Sequence, residues 1–315
     1  MKDRLIVITG PTASGKSDIA INLAKSLDSM IISADSQQVY RYMDIGTNKT
    51  SDVFDVDHFM LNIVDPDEEF SVDDFSKEAK SLVEKINRNM RLPIVTGGTG
   101  FYIDSLIYDM NYGRVEKNQA YRDELQEIVK EKGKDYLYRK LKDLDPVTSK
   151  RYHPNEVNRV IRALEIYKVS GEIPSKIRTG ERKLNDSIDP LIFFLNYDDR
   201  DLLYNRINQR VLEMINMGLV DEVRDLIKRF KLDRKSQSMS AIGYKEVLNY
   251  LYHDISFNEM IDLIQKNTRH YAKRQITWMK KYLRYPFTYE IKMDSLNKIE
   301  ASDIILSIVK EVYEF

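Results

Sequence analysis

The sequence predicts an α/β fold in which a parallel sheet is flanked by helices and interrupted by a helical insertion domain. Four short apolar and β-branched segments have the length and composition of buried strands: residues 5–9, 30–34, 92–96 and 191–195. Helical periodicity follows most of these segments, as a parallel sheet with crossover helices requires. Charged helices dominate from residue 112 to 190. We therefore expect a core of residues 1–111 and 191–315 and an inserted domain of residues 112–190.

The first strand leads into a glycine-rich loop that fits the phosphate-binding pattern G-x-x-x-x-G-K-[ST]. Gly10 and Gly15 allow the backbone to turn its N–H groups toward an anion, and the helix that begins near Lys16 adds its positive dipole end. Lys16 supplies an ammonium for the outer phosphate, and the Ser17 hydroxyl can ligate Mg²⁺. The sequence thus predicts a P-loop-type site for a diphosphate or polyphosphate. Its residues are Gly10, Pro11, Thr12, Ala13, Ser14, Gly15, Lys16 and Ser17.

Two further turns are expected at the same edge of the sheet as the phosphate loop. Asp35 directly follows the segment 30–34, and the sequence Gly-Gly-Thr-Gly at 97–100 follows the segment 92–96. Ligands of open parallel sheets bind beyond the carboxyl ends of the strands, so Asp35 should face the same crevice as the loop. The glycine turn is compatible both with tight packing and with close approach to a ligand.

Composition excludes several kinds of site. The 315-residue chain contains no cysteine, which excludes disulfides, thiol nucleophiles and cysteine-ligated metals and fits a cytoplasmic protein. No apolar run approaches the length of a membrane span. The net charge of −1 hides a segregation: residues 52–78 carry ten acidic side chains and one Lys, whereas residues 266–292 carry eight basic side chains and one Glu. Such segregation indicates either a polyanion-binding face or ordinary solvated helix surfaces.

A predicted helix at residues 258–285 carries the clearest basic stripe. At 100° per residue, four of its cations fall within about 60° of one another, namely Arg269, Lys273, Lys280 and Arg284. Arg274 and Lys281 extend the stripe. The opposite side is expected to be buried, and it consists of Tyr271, Ala272, Ile276, Trp278, Met279, Tyr282 and Leu283. The stripe favours a phosphodiester backbone or a diphosphate as its ligand, with a solvated surface helix as the alternative.

Seven longer segments occur in a fixed order from residue 4 to about residue 280. They read GPTASGKS, SADSQQVYRYMDIGTNK, LPIVTGGTGFY, RYHPNEVNRVIRALEIY, INQRVLEMINMGLVDEV, SAIGYKEVLNYL and TRHYAKRQITWMK. Together they resemble the successive signatures of the bacterial tRNA dimethylallyltransferases, also called tRNA isopentenyltransferases. The zinc-finger extension of eukaryotic members is not expected in a chain without cysteine.

The resemblance implies a specific reaction. Members of this family transfer the dimethylallyl group from dimethylallyl diphosphate to N6 of the adenosine just 3′ of the anticodon, in tRNAs that read codons beginning with U. The implied fold is a P-loop-type parallel sheet whose helical insertion grips the anticodon stem-loop of the tRNA. The implied cofactor is Mg²⁺, bound with the help of Ser17. We expect a cytoplasmic monomer that does not associate with membranes.

The resemblance also assigns catalytic residues. The phosphate loop would hold the diphosphate of the prenyl donor instead of ATP, and Arg210 matches the family arginine that clamps the same diphosphate. Asp35 matches the residue that bonds the adenine amino group and acts as general base. Lys16 and Arg210 would stabilise the charge that develops on the leaving diphosphate. Thr99 would make a polar contact where that group departs.

The remaining assignments concern tRNA, whose target base must leave the anticodon-loop stack. Family positions that contact tRNA match Asp35, Ser36, Gln37, Gln38, Phe101, Arg122, Arg159, Val160, Ile161, Arg162, Ala163, Ser240, Gly243, Tyr244 and Lys245. The basic helix adds Arg269, Lys273 and Arg274. Ordinary packing is the alternative for Val160, Ile161 and Ala163. Phe101 and Ser240 depart from the family, which more often has Leu and a larger polar residue there.

Three alternatives remain. A prenyltransferase acting on free adenine nucleotides would need neither the insertion nor the basic stripe. A P-loop nucleoside or nucleotide kinase would consume ATP and gives no reason for the polar residues 35–38. A non-catalytic RNA-binding protein would not need the intact phosphate-loop residues together with Asp35 and Arg210. Turnover of ATP in the presence of tRNA distinguishes the kinase from the transferase.

Overall fold

The structure is a computed structural model that describes residues 2–49, 56–110, 117–177 and 183–314. The chain divides into two compact units: residues 1–108 together with 185–315, and residues 109–184. The sequence-based boundaries lie a few residues later at both junctions, partly because the strand that resumes the core starts before its apolar segment. None of the helices in the described ranges has the length and apolar surface of a transmembrane segment.

The first unit contains a six-stranded sheet in which all neighbouring strands are parallel. Its strands are β1 (Asp3–Thr9), β2 (Ile31–Ser33), β3 (His58–Phe59), β4 (Ile94–Gly97), β5 (Ile188–Asn196) and β6 (Thr288–Lys292), in the order β3-β2-β4-β1-β5-β6. The predicted α/β fold is confirmed. The sequence did not predict the edge strands, because β3 has two residues and most side chains of β6 are only partly buried.

The register of the sheet brings three strand ends to one edge. Thr9 of β1 pairs with Gly97 of β4 and with Phe194 of β5, and Ser33 of β2 pairs with Thr96. The loops that follow β1, β2 and β4 therefore begin side by side. The buried apolar part of each strand ends at this edge, and polar residues follow it.

Thirteen α-helices lie within the described residues. They are α1 (Lys16–Ser26), α2 (Val72–Arg88), α3 (Gly100–Ile107), α4 (Gln119–Lys132), α5 (Lys134–Leu144), α6 (Pro146–Ser149), α7 (Val157–Ser170), α8 (Pro174–Ile177), α9 (Arg200–Asn216), α10 (Leu219–Phe230), α11 (Tyr244–Leu251), α12 (Phe257–Met279) and α13 (Lys298–Tyr313). Helices α4 to α8 form the second unit. In the first unit α12 packs against α9, α11 and α3, and α13 packs against α1.

The helix predicted at 258–285 ends as an α-helix at Met279 and continues as a 3₁₀ segment, Lys280–Arg284. The tighter winding ends the 100° periodicity on which the predicted stripe rested. Leu283 is exposed, which corrects its assignment to the buried face. Lys281 is also corrected, because its ammonium lies 2.6 Å from Oδ2 of the buried Asp104 instead of extending the stripe.

The second unit has its own apolar core. Its buried members are Leu125, Leu137, Leu141, Val160, Ile161, Ala163 and Leu164. Val160, Ile161 and Ala163 lie on the inward face of α7, so their side chains pack in this core. This burial corrects the prediction that these three side chains contact tRNA. The role of the whole unit in binding tRNA stays a prediction.

A buried carboxylate holds two arginines of the second unit. The side chain of Glu165 is inaccessible to solvent and accepts two hydrogen bonds from Arg122, both 2.8 Å, and one of 2.5 Å from Arg162. Burial alone would raise the pKa of Glu165, but the hydrogen bonds from Arg122, Arg162 and the Asn118 N–H outweigh it and hold the pKa below its usual range. Both arginine side chains are 30% exposed. Glu165 therefore holds two cationic groups in place at the surface.

We expect Glu165→Gln to lower the free energy of unfolding by about 2 kcal/mol at neutral pH, because a neutral amide leaves the two guanidinium groups without their carboxylate. The pKa of Glu165 is lowered in the folded state, so its contribution is complete above the unfolded value, about 4.5, and is lost as pH falls through the folded value. Urea unfolding at a series of pH values measures the difference.

Glu127→Gln is the matched control, because Glu127 forms an exposed pair with Lys130. Its effect should stay within about 0.5 kcal/mol. A difference between Glu165→Gln and the wild type that does not shrink with falling pH would contradict the role given to the ionised carboxylate.

Candidate active site

A cavity of about 920 Å³ opens at the carboxyl edge of the sheet, within the first unit. The phosphate loop, the turn after β2, the end of β4 and helices α9 and α12 all line it. The side chains that concern its chemistry are Lys16, Ser17, Asp35, Gln37, Arg210 and Gln275. The phosphate loop, Asp35 and Arg210, which the sequence singled out at distant positions, thus lie in one cavity.

The phosphate loop has the geometry of an anion site. Gly15 is the N-cap of α1 with φ 87°, a left-handed conformation that disfavours any residue with a Cβ. No side chain in the described chain caps α1, so the first N–H groups of this helix remain available to an anion. The hydroxyl of Ser14 is buried and has no hydrogen-bond partner among the described residues, which leaves it as a further donor.

Lys16 and Arg210 place two positive charges beside the loop. Withdrawal of the Lys16 ammonium from water, together with the Arg210 charge, lowers the pKa of Lys16 to about 7, although Asp35 opposes the shift. Burial likewise lowers the pKa of Arg210, again opposed by Asp35. The Lys16 ammonium donates to the carbonyl of Pro11 at 2.6 Å. Glu213 and Asp18 also oppose the shift at Arg210. The cavity is nevertheless lined by six basic side chains against three carboxylates, so it favours an anionic ligand.

Asp35 is held in a short turn at the end of β2. Its Oδ1 accepts the Gln37 N–H at 2.9 Å, and the Ser36 N–H donates to Oγ1 of Thr99 at 3.0 Å. Thr99 therefore ties the turn after β2 to the turn after β4. Its predicted contact with a leaving group stays a prediction.

The two glutamines that follow Asp35 differ in their bonding. Gln38 accepts from the Ser33 hydroxyl at 2.9 Å and donates to the Thr47 carbonyl at 3.1 Å, so both halves of its amide are engaged. The Oε1 atom of Gln37 is shielded from solvent and has no hydrogen-bond partner among the described residues. Gln37 is thus the better candidate to contact a ligand next to Asp35.

Tyr244 and Gly243 are corrected as tRNA contacts. Both are buried, and the Tyr244 hydroxyl donates to Oε1 of Glu222 at 2.6 Å. Burial and the Glu222 charge raise the pKa of Tyr244 well above its usual value. Ser240 and Lys245, predicted beside them, are exposed and line the cavity.

Glu222 is a residue that the sequence did not single out. Its carboxylate accepts the N–H groups of Asp44, Ile45 and Gly46 at 2.9, 2.8 and 3.3 Å, which fixes a loop whose next residues line the cavity. It lies within the segment INQRVLEMINMGLVDEV, yet nothing in that segment indicates a bond to a loop far away in the chain.

Gln275 and Arg206 were missed as well. The buried Gln275 accepts the Thr12 N–H at 2.8 Å and donates to the Gly98 carbonyl at 3.0 Å. Arg206 donates from Nε to the Ala13 carbonyl at 3.1 Å. Both had a detectable signal, because Gln275 is a polar residue beside the apolar Ile276 on a buried face and Arg206 precedes Arg210 by one helical turn.

The other predicted cations and Phe101 have mixed environments. Phe101 is 39% exposed and packs edge-on against Trp278, with 6.4 Å between ring centroids. Arg269 donates to Oδ1 of Asn208 at 2.5 Å. Lys273 and Arg274 are exposed, and Arg274 lines the cavity. In the second unit Arg159 is exposed and pairs with Glu156 at 2.8 Å.

Comparison with known proteins identifies the family. The family model "IPP transferase" matches residues 38–282, and the model "Isopentenyl transferase" matches residues 3–53. The tRNA dimethylallyltransferase of Thermoanaerobacter sp. strain X514 is 46% identical over 285 residues, which are 90% of this chain and 90% of that protein.

Solved structures agree. The full-length tRNA isopentenylpyrophosphate transferase of Bacillus halodurans is 37% identical, with a TM-score of 0.70 and complete coverage of both chains. A eukaryotic dimethylallyltransferase acting on tRNA is 30% identical with a TM-score of 0.83, covering 99% of this chain and 80% of that one. Sequence and fold thus agree over nearly the whole length, and the chain belongs to the IPP transferase family, that of the tRNA dimethylallyltransferases.

Proposed function

We propose that this chain, as a cytoplasmic monomer, transfers the dimethylallyl group from dimethylallyl diphosphate to N6 of the adenosine just 3′ of the anticodon, in tRNAs that read codons beginning with U. The observation that carries the proposal is the joint placement of Asp35, Lys16 and Arg210 in one cavity, where their charges influence one another. Such a cavity holds an anionic leaving group beside a carboxylate that can accept a proton.

The donor half of the site is the phosphate loop with its two cations. The N–H groups at the start of α1, the Ser14 hydroxyl, Lys16 and Arg210 would bind the diphosphate. As the bond between the allylic carbon and the diphosphate oxygen breaks, its electron pair leaves with the diphosphate. The two cations stabilise that growing negative charge more strongly than they stabilise the ground state.

The acceptor half is the turn after β2. The N6 lone pair of adenosine forms the new bond to the allylic carbon, and the carboxylate of Asp35 accepts the proton that N6 loses. An exocyclic adenine nitrogen is a weak nucleophile, so removal of its proton during bond formation lowers the barrier. The Oε1 atom of Gln37, which has no hydrogen-bond partner among the described residues, would orient the amino group. The products are dimethylallyl adenosine and diphosphate.

Mg²⁺ is compatible with the donor site. Within the described residues no group of three or more His, Cys, Asp or Glu side chains could hold a metal ion, whereas the Ser17 hydroxyl lines the cavity. Mg²⁺ commonly uses one or two protein oxygens, substrate phosphates and water, so Ser17 with the donor diphosphate fits this ion. Bound there, it would neutralise charge on the diphosphate.

Exposed cations in each unit supply candidate contacts to the phosphates of tRNA. In the first unit these are Lys245, Lys273 and Arg274, with Arg269 partly exposed. In the second unit they are Arg159 and the pair Arg122 and Arg162 that Glu165 holds in place. Binding through such contacts would weaken steeply as salt concentration rises.

We expect Asp35→Asn to slow transfer about a hundredfold, because the amide cannot accept the N6 proton. The measurement is single-turnover transfer of labelled dimethylallyl to an unmodified tRNA transcript, with donor affinity measured separately. Donor affinity should not fall, since the substitution removes a negative charge from the cavity.

The control for Asp35→Asn is Asp28→Asn, a change at an exposed aspartate that pairs with Arg91. It should transfer at the wild-type rate. Wild-type transfer by Asp35→Asn would contradict the general-base role.

We expect donor binding at pH 8 to take up about 0.9 proton, because the free Lys16, with its pKa of about 7, is mostly neutral there and the bound diphosphate raises that pKa. The affinity for the donor should therefore fall as pH rises above about 7. Below pH 7 Lys16 is already protonated, so its titration should no longer affect this affinity. Calorimetry in buffers of different ionisation enthalpy measures the uptake.

The two control variants for proton uptake separate charge from titration. Lys16→Arg keeps the positive charge without titrating near pH 8, and Lys16→Met removes it. Neither should take up the proton. Equal uptake by wild type and Lys16→Arg would show that another group titrates.

A further inference from the structure

A single buried glutamine connects three segments that are far apart in the chain. Gln275 of α12 is 5% exposed, accepts the N–H of Thr12 at 2.8 Å and donates to the carbonyl of Gly98 at 3.0 Å. A neutral amide can accept from one backbone and donate to another at once, which an ionised carboxylate cannot do.

The space around this amide is closely fitted. A Cβ atom at Gly98 would lie 2.1 Å from the Gln275 Nε2 atom, so the glycine turn after β4 makes room for this side chain. Of the two explanations that the sequence left open for the turn, tight packing therefore applies at Gly98. The amide holds the phosphate loop against the end of β4 through Thr12.

This contact changes the donor set of the phosphate loop. In an ordinary loop of this pattern, successive N–H groups cradle two phosphates and the lysine reaches toward a third. Here the Thr12 N–H points to Gln275, so the N–H groups left for phosphate are those that follow Thr12. The Thr12 N–H is engaged and a protein amide stands at the front of the loop, an arrangement that suits a shorter phosphate chain.

We propose that Gln275 is a positioning residue that makes the phosphate loop bind a diphosphate more tightly than a triphosphate. This inference rests on the proposed function, because a prenyl diphosphate donor must compete with the nucleoside triphosphates of the cell. Gln275 acts through the loop backbone and the cavity edge, and it takes no part in proton transfer.

The test compares the affinities of inorganic diphosphate and inorganic triphosphate, each with Mg²⁺, by calorimetry. The wild type should bind diphosphate at least about tenfold more tightly. Gln275→Met removes both hydrogen bonds at similar side-chain length and should reduce this ratio about tenfold. Asn at position 275 is too short to reach both partners, so Gln275→Asn should also reduce the ratio. It therefore tests the inference even if Gln275→Met fails to fold.

Two further variants separate the positioning role of Gln275 from a general loss of structure. Gln275→Glu still accepts the Thr12 N–H and adds negative charge, so it should weaken both ligands while keeping or increasing the ratio. Gln265→Met changes another glutamine of α12, one that donates to the Asn208 carbonyl at 3.3 Å, and should leave both affinities unchanged.

Equal ratios in wild type, Gln275→Met and Gln275→Asn would overturn the inference, as would a wild type that binds triphosphate as tightly as diphosphate. Dimethylallyl transfer to tRNA is measured on the same wild-type preparation. Absence of transfer contradicts the proposed function, whereas the affinity ratios decide the role of Gln275 by themselves.

Discussion

The site depends on the burial of two basic side chains, Lys16 and Arg210, at the end of a parallel sheet. Burial and the charge of Arg210 lower the affinity of Lys16 for its proton, and Asp35 opposes this only in part. A bound diphosphate would supply the missing negative charge. The same carboxylate then faces the acceptor, so one charged group serves both halves of the cavity.

The surrounding polar contacts fix the loops that carry these charges. Gln275 holds the phosphate loop to the end of β4, Thr99 holds the turn that contains Asp35, and Glu222 holds the loop at residues 44–46. Each uses a side chain to bond backbone groups from distant parts of the sequence. Preorganised loops of this kind present their donors without reorganisation during the reaction.

The sequence predicted the α/β fold, four strands and the placement of Asp35 beside the phosphate loop, because short buried strands and strand-end residues follow local rules. It missed Glu222 and Gln275, whose partners lie more than a hundred residues away. Tyr244 and Lys281 were misassigned for a related reason. The resemblance assigned Tyr244 to tRNA and helical periodicity assigned Lys281 to the basic stripe. In the fold, Glu222 holds the Tyr244 hydroxyl and Asp104 holds the Lys281 ammonium.

The most direct test supplies the wild-type protein with unmodified tRNA transcripts, labelled dimethylallyl diphosphate, Mg²⁺ and ATP, and follows both label and phosphate release. The account predicts label on the adenosine 3′ of the anticodon, release of diphosphate and no hydrolysis of ATP. Consumption of ATP without transfer of label would contradict it and would favour an ATP-dependent P-loop enzyme such as a nucleotide kinase. Transfer of label to free AMP but not to tRNA would contradict the assignment of the acceptor.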